Sequence, residues 1–80
     1  MKPLYVQNKK VWISVHAITQ ARKRRIAFPD QVYDAIKSGK VARFGKHGIK
    51  FIKRGRKSSI VCIGEDLGPT IVIKTVARGN

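Results

Sequence analysis

The feature that most constrains the fold is a succession of β-rich runs over residues 41–77, separated by glycine-containing turns. Short apolar runs bounded by such turns are typical of strands that follow one another in an antiparallel sheet. Four strands are expected, at 41–46, 49–54, 59–63 and 70–77. The third and fourth runs do not alternate cleanly with polar residues, which is typical of central strands buried on both faces. This part of the chain therefore predicts an antiparallel sheet of about four strands.

A β-rich segment and a first helix precede this region. Residues 4–6 and 11–15 favour strands and are separated by a polar turn, which predicts a hairpin or arm. A helix is expected over 16–25. Pro29 marks its end, because proline pushes the preceding residue, Phe28, out of helical geometry.

A second helix is expected after Pro29. Asp30 suits its first turn by its charge, and Gly39 suits its C-terminus. Val32, Ala35 and Ile36 give it an apolar stripe. The prediction is one α+β domain over 1–80: a β hairpin or arm (1–15), two helices (16–39) and an antiparallel sheet (41–78), with the helices on one face of the sheet.

The net charge of +14, from 18 Lys and Arg against 4 Asp and Glu, implies an anionic partner. Nucleic acid is the first candidate, because neutralising phosphates releases counterions; an acidic protein remains an alternative. A membrane partner is not expected, because no stretch joins a basic face to a large aromatic or leucine face. The sequence shows no signal peptide and no apolar run of the ~20 residues that span a bilayer, so we expect a cytoplasmic location.

The cations are concentrated where acids are missing, since residues 35–64 contain no Asp or Glu. Strand alternation places Lys50 and Arg54 on one face of the sheet. A basic sheet face, together with the end of the first helix, would follow a phosphate backbone. The predicted nucleic-acid contacts are Arg22, Lys23, Arg25, Arg43, Lys50, Arg54 and Lys74.

The residues that bind metals are scarce. Cys62 is the single cysteine, which excludes an intrachain disulfide and favours a small buried side chain. Two histidines, one cysteine and four acids do not form a recognisable metal site. We expect no metal and no cofactor.

The segment HAITQARKRRI (16–26) carries a motif. His16, Gln20, Lys23 and Arg24 fall within about a third of the helix circumference, whereas Ile18 and Ala21 point the other way. The segment contains His16-Ala17, a polar residue at position 20, Arg24 and Ile26. It is followed by PDQVYDAIKSGKV and the closing strand IVIKT. In this order of features the chain resembles a small family defined by a domain of unknown function. The resemblance covers residues 16–78.

That family is similar in turn to the BrnT and RelE toxins, compact ribonucleases of toxin–antitoxin pairs with helices followed by a sheet. The resemblance implies RNA cleavage without metal, with an acidic antitoxin protein as partner. The chain differs from the pattern at Gln20, where the family commonly has arginine, and at Arg25, where glycine is frequent. It also lacks the late tyrosine of some RelE-like toxins.

Metal-independent RNA cleavage needs a base, an acid and a cation for the charge on phosphorus. Histidine serves as acid or base near neutral pH, and arginine donates to phosphate oxygens in pairs. The predicted catalytic residues are His16 as acid or base, Arg24 for charge stabilisation, and Arg78, which shares a strand face with Lys74. The function expected is RNA binding with endoribonuclease activity of the toxin type.

Other interpretations stay open. The alternative function is a non-catalytic nucleic-acid binder, such as a ribosome-associated or a plasmid- or virus-encoded accessory protein. His16 could cap a helix or form a buried hydrogen bond instead of acting on RNA, and Gln20 and Arg24 could belong to a solvated helix face. Tyr5 and Trp12 could stack on bases or cover the small core.

Overall fold

The computed structural model describes residues 4–79 as two helices and six strands. The elements are β1 (Leu4–Val6), β2 (Lys9–Ile13), α1 (Val15–Lys23), α2 (Asp30–Ser38), β3 (Lys40–Phe44), β4 (Gly48–Arg54), β5 (Ser59–Asp66) and β6 (Thr70–Gly79). The α+β class and the element order are therefore confirmed. Residues 1–3 and 80 of the predicted domain lie outside the described residues.

The sheet is larger than predicted and mixed. Its strand order is β1-β2-β6-β5-β4-β3. The prediction of about four antiparallel strands was wrong, because β2 pairs in parallel with β6 and brings β1 into the same sheet. Val11 and Ile71, which face each other across this pair, are both buried. The N-terminal hairpin is thus part of the core rather than an arm.

The turn between β1 and β2 occurs within the predicted segment. Gln7 and Asn8 both have positive φ, of 53° and 61°. Two successive residues of this kind are typical of the type I′ turn, whose twist matches that of paired strands.

Both helices pack on the same face of the sheet, called the covered face. Its fully packed strand residues are Leu4, Val11, Ile49, Phe51, Cys62, Ile71, Ile73 and Val76. Ala17 and Ala21 of α1 are buried, and these small side chains let the helix approach β6 closely. The predicted stripe of α2, namely Val32, Ala35 and Ile36, is buried as well.

The helix ends differ in detail from the prediction. The Ser14 side chain caps α1 by accepting a hydrogen bond from the Ala17 N–H at 3.1 Å. The helix ends at Lys23, and Arg25 has a positive φ of 56°. Gly39 ends α2 in an extended conformation, where a Cβ would collide with the carbonyl oxygens of Ala35 and Ile52.

The opposite face, called the open face, has no helix of residues 4–79 over it. Register places on it Tyr5, Lys10, Trp12, Lys40, Ala42, Phe44, Lys50, Ile52, Arg54, Val61, Ile63, Glu65, Val72, Thr75 and Ala77. The central strands β5 and β6 were predicted to be buried on both faces. Their open-face side chains are only half-buried, because a second packed layer is missing from the described part of the chain.

The sheet curls until its edges approach each other. Arg43 on β3 donates a hydrogen bond to Gln7 in the β1–β2 turn at 3.1 Å, although β1 and β3 are the two edge strands. Arg43 also contacts Asp66, so the end with the β1–β2, β3–β4 and β5–β6 turns is called the Asp66 end. The other end, with the β4–β5 turn (55–58) and the end of α1, is called the Ser58 end.

Neither helix among residues 4–79 has the length and apolar character needed to cross a membrane.

Candidate nucleic-acid interface

Three aromatic side chains are exposed on the open face. Trp12 is 54% exposed, Tyr5 57% and Phe44 47%. Tyr5 and Trp12 belong to β1 and β2 at one side of the sheet, and Phe44 ends the edge strand β3 at the other. Exposed rings on a sheet can stack on unpaired bases, since every base has a π-face.

Cations surround these rings. The Lys10 ammonium lies 4.5 Å from the centre of the Trp12 ring, a cation–π contact that holds both side chains on the same face. Lys50 and Arg54 alternate along β4 on the open face, as the sequence predicts, and Lys40 pairs across from Ile52 on the neighbouring strand. Half-buried aliphatic side chains lie between these cations.

A β-bulge adds another cation to the open face. Ile63 pairs with Thr75 and Gly64 pairs with Ile73, so Lys74 is the extra residue of β6. Lys74 forms an ion pair with Glu65, the acid of the open face. This hydrogen bond lowers the pKa of the Glu65 carboxyl.

The same bulge overturns the expectation that Lys74 and Arg78 share a strand face. Residues four apart on a regular strand point the same way, but the extra residue reverses the alternation after position 74. Lys74 therefore lies with Glu65 on the open face. Arg78 points to the covered face, where it meets the end of α1.

Arg78 is bound by main-chain and side-chain oxygens. Its Nη2 donates to the carbonyl oxygens of Arg24 and Arg25 at 3.1 and 3.2 Å, and its Nη1 donates to the Ser58 hydroxyl oxygen at 2.9 Å. A cation at this position satisfies carbonyls that a helix leaves without partners at its C-terminus. The predicted catalytic residue thus has a clear structural function.

The predicted catalytic residues of α1 lie far apart along its axis. His16 is exposed in the first turn and Arg24 is exposed just beyond the last. Eight residues of helix correspond to roughly 12 Å of rise. α1 therefore carries both His16 and Arg24, but their separation along its axis does not place them beside the same scissile bond.

Gln20 faces the sheet rather than solvent. It is half-buried, and its Oε1 accepts a hydrogen bond from the Val76 N–H at 3.2 Å. Strand β2 ends at Ile13, so this part of β6 has no strand beside it on that edge. The glutamine side chain occupies the place of a strand carbonyl. The inward face predicted for Ile18 and Ala21 is formed by Ala17 and Ala21, with Ile18 half-buried.

The remaining predicted contacts divide into two groups. Arg22, Lys23 and Arg25 are exposed at the end of α1, on the helix side of the sheet. Arg43 also points away from the open face, because it lies across from Ile49. Its guanidinium donates to Asp66 at 2.8 Å, which makes its function in the fold structural.

The Asp66 carboxylate accepts hydrogen bonds from two cations and a backbone N–H. Lys9 donates to both carboxylate oxygens at 2.9 and 2.7 Å, Arg43 donates to one of them, and the Gly68 N–H donates at 3.0 Å. These donors, Lys9 first, hold the pKa of Asp66 well below its usual range. Sequence alternation alone does not indicate this cluster, because its members lie on three different strands.

The single cysteine of the sequence lies in the core. Cys62 is fully buried, and desolvation raises its pKa to about 12. Within residues 4–79, no three His, Cys, Asp or Glu side chains are grouped in a way that could hold a metal ion.

The exposure of Tyr5, Trp12 and Phe44 is only partly evident from the sequence. The sequence leaves open whether Tyr5 and Trp12 stack on bases or cover the core, and it does not single out Phe44. The signal for Trp12 was its position between Val11 and Ile13, because alternation puts it on the face opposite the buried valine. Phe44 pairs with Gly48, and its ring lies over this glycine, where a Cβ would come within 2.6 Å of two ring carbons.

Comparison with known proteins provides no further assignment. The resemblance to the toxin-like family therefore stays a prediction from the motif of residues 16–26 and the closing strand. No family model, no curated protein and no solved structure matches this chain.

Proposed function

We propose that this chain is an RNA-binding protein that holds a single strand on the open face of its sheet. The observation that carries the proposal is the arrangement of three exposed rings, Tyr5, Trp12 and Phe44, among open-face cations. Rings stack on bases, while lysine and arginine neutralise phosphates. Single strands fit better than duplexes, because only unstacked bases can reach the rings.

The charges on the open face support a polyanion as the partner. Lys10, Lys40, Lys50, Arg54 and Lys74 lie on or beside it, against one acid, Glu65, which is already paired with Lys74. Such a face would repel a basic protein and attract a phosphate backbone. An acidic protein is the competing partner, and it would not require exposed aromatic rings.

The geometry favours binding without cleavage over the endoribonuclease predicted from the motif. Arg78 is bound to three oxygens of the protein, and Gln20 is bound to β6. His16 therefore has neither the neighbouring arginine of the family nor Arg78 beside it. The toxin-type ribonuclease and its antitoxin partner remain predictions, and the experiment below tests the ribonuclease activity.

Trp12 provides the direct test, because it is the single tryptophan of the sequence. Titration with a single-stranded RNA of about ten nucleotides should quench its fluorescence, and a matched duplex should bind more weakly. Trp12→Ala has no tryptophan, so the affinities of the variants and of the wild type are compared by the anisotropy of a fluorophore attached to the RNA. Trp12→Ala should weaken binding about tenfold or more, since stacking contributes ~1–3 kcal/mol per base. Lys50→Ala should weaken binding and lower the salt dependence, whose slope falls by about 0.7 per lost phosphate contact on single strands.

Leu67→Ala is the matched control, because Leu67 is an equally exposed apolar residue on the β5–β6 turn. It should bind RNA like the wild type. Unchanged affinity in Trp12→Ala and Lys50→Ala would contradict the open-face proposal. The same RNA, incubated in EDTA with wild type and His16→Ala, should stay intact; cleavage lost in His16→Ala would instead support the ribonuclease.

A further inference from the structure

The open face ends in a basic concavity at the Ser58 end. Its volume is about 440 Å³, with Arg54, Arg56 and Lys57 on its rim. Ile52 and Val61 form part of its floor and belong to the half-buried aliphatic side chains of the open face. A strand of RNA lying along the open face would reach this concavity where the sheet ends.

The rim cations are available to a ligand. Within residues 4–79, Arg54, Arg56 and Lys57 form no ion pair, and the described residues that line the concavity include no acid. All three side chains are exposed. Their charge is therefore not compensated by any acid among residues 4–79.

Ser58 adds an oriented hydroxyl. Its oxygen accepts the hydrogen bond from Arg78 at 2.9 Å, which leaves the hydroxyl proton for another acceptor. Arg78 is fixed in turn by the carbonyl oxygens of Arg24 and Arg25. The turn itself is closed by a hydrogen bond from the Gly55 N–H to the Ser58 carbonyl oxygen at 2.9 Å. The Ser58 side chain thus has one defined direction at the edge of the concavity.

We infer that this concavity holds the terminal phosphate of the bound RNA, with the adjoining nucleoside on the floor of Ile52 and Val61. Three cations that no acid of residues 4–79 pairs exceed the single charge of an internal phosphodiester. They match better a phosphomonoester, which carries close to two charges at neutral pH. The inference rests on the proposed function, because the rest of the strand is bound by the open face.

Three RNAs of one sequence test the inference, with hydroxyl groups at both ends, with a 5′-phosphate, or with a 3′-phosphate. One of the phosphorylated RNAs should bind about tenfold tighter than the first, the range of one or two charge-assisted hydrogen bonds. The tighter of the two identifies the terminus that enters the concavity. Equal affinity for all three RNAs would overturn the inference and leave the proposed function in place.

Two double variants locate the effect. Arg56→Ala with Lys57→Ala should reduce the tenfold preference to about one, while binding of the hydroxyl-ended RNA persists. Lys37→Ala with Lys46→Ala removes the same charge from exposed positions outside the concavity, and should keep the preference. A preference that survives the first pair would overturn the inference. If no RNA binds, the proposed function fails first.

Discussion

At Asp66, one carboxylate joins strands that are far apart in the sequence. Lys9 approaches from β2 and Arg43 from the edge strand β3, and Arg43 continues to Gln7 on the opposite edge. The side chain of Asp66 is only 8% exposed. Charge-assisted hydrogen bonds in such a shielded place are stronger than those of exposed ion pairs. The contacts between strands at the Asp66 end thus depend on the ionised state of the Asp66 carboxyl.

Asp66→Asn should lower the urea midpoint of unfolding at pH 7, because asparagine accepts hydrogen bonds but does not neutralise Lys9 and Arg43. The pKa of Asp66 is lower in the folded chain than the ordinary value of about 4. Its stabilisation is therefore complete above about pH 4 and is lost as the pH falls through the folded pKa. The difference between wild type and variant should narrow below pH 4.

The control for this experiment is Asp30→Asn, which changes the net charge equally at an exposed position in the first turn of α2. Its effect should stay within the ~0.3–1 kcal/mol of a helix-dipole interaction. A destabilisation by Asp66→Asn that did not depend on pH would mean that shape rather than charge is important at this position.

At the scale of single elements, the two glycines of β5 and β6 have opposite surroundings. A Cβ on Gly64 would collide with the carbonyl oxygen of Val72, because the bulge draws the two strands together. A Cβ on Gly79 would make an ordinary contact with Val61 at 3.8 Å. Both residues belong to strands, so their different surroundings make them a matched pair.

Gly64→Ala should destabilise the chain by about 2 kcal/mol or more, since the backbone of β6 must shift to accept the methyl group. Gly79→Ala should stay within about 0.5 kcal/mol of the wild type. Urea unfolding of both variants measures the difference. Equal stabilities would show that the bulge relaxes easily, and the placement of Lys74 on the open face would then be less firmly determined.

The elements also show how much the sequence could predict. The helices and the order of the last four strands follow from local patterns, such as the stripe of Val32, Ala35 and Ile36. The pairing of β2 with β6 does not, because it joins Val11 to Ile71 across most of the chain. The bulge at Lys74 has no local signal either, so the positions of Lys74 and Arg78 could not be deduced from alternation.

The candidate site was predicted only in part for the same reason. Lys50 and Arg54 were correctly placed together, since they lie on one regular strand. Gln20 is expected on an outer face when the motif is considered as an isolated helix, and Arg78 is expected beside Lys74 when the last strand is considered regular. The structure brings β6 against that helix, and both side chains then satisfy backbone groups that a strand edge and a helix end leave open.

At the scale of the whole molecule, Cys62 lies in the single core formed by both helices and the sheet. It is paired with Phe51 and Val76 on the neighbouring strands, and all three are fully buried. A thiol with a pKa raised to about 12 is almost entirely protonated near neutral pH. It can therefore react only when the core opens.

Labelling of Cys62 by a thiol reagent at pH 8 should be slow and should follow global unfolding. Phe51→Ala should speed labelling by about 10²–10⁴-fold, since removing a buried phenylalanine costs about 3–5 kcal/mol and each 1.4 kcal/mol is about tenfold. Leu67→Ala, on the surface, should label like the wild type. Rapid labelling of the native wild type would show that the sheet opens locally around β5.

The separation of charge between the two ends has a consequence for motion in solution. At the Asp66 end, the charges of Lys9, Arg43 and Lys74 are offset by Asp66 and Glu65, whereas the rim cations, with Arg24 and Arg25, form no ion pair among residues 4–79 at the Ser58 end. The molecule therefore has an electric dipole directed along its strands. Near a polyanion this dipole produces a torque that turns the Ser58 end towards the polyanion before the two molecules touch. Encounters begin from a restricted set of orientations, and this bias disappears beyond the Debye length of about 8 Å at physiological ionic strength.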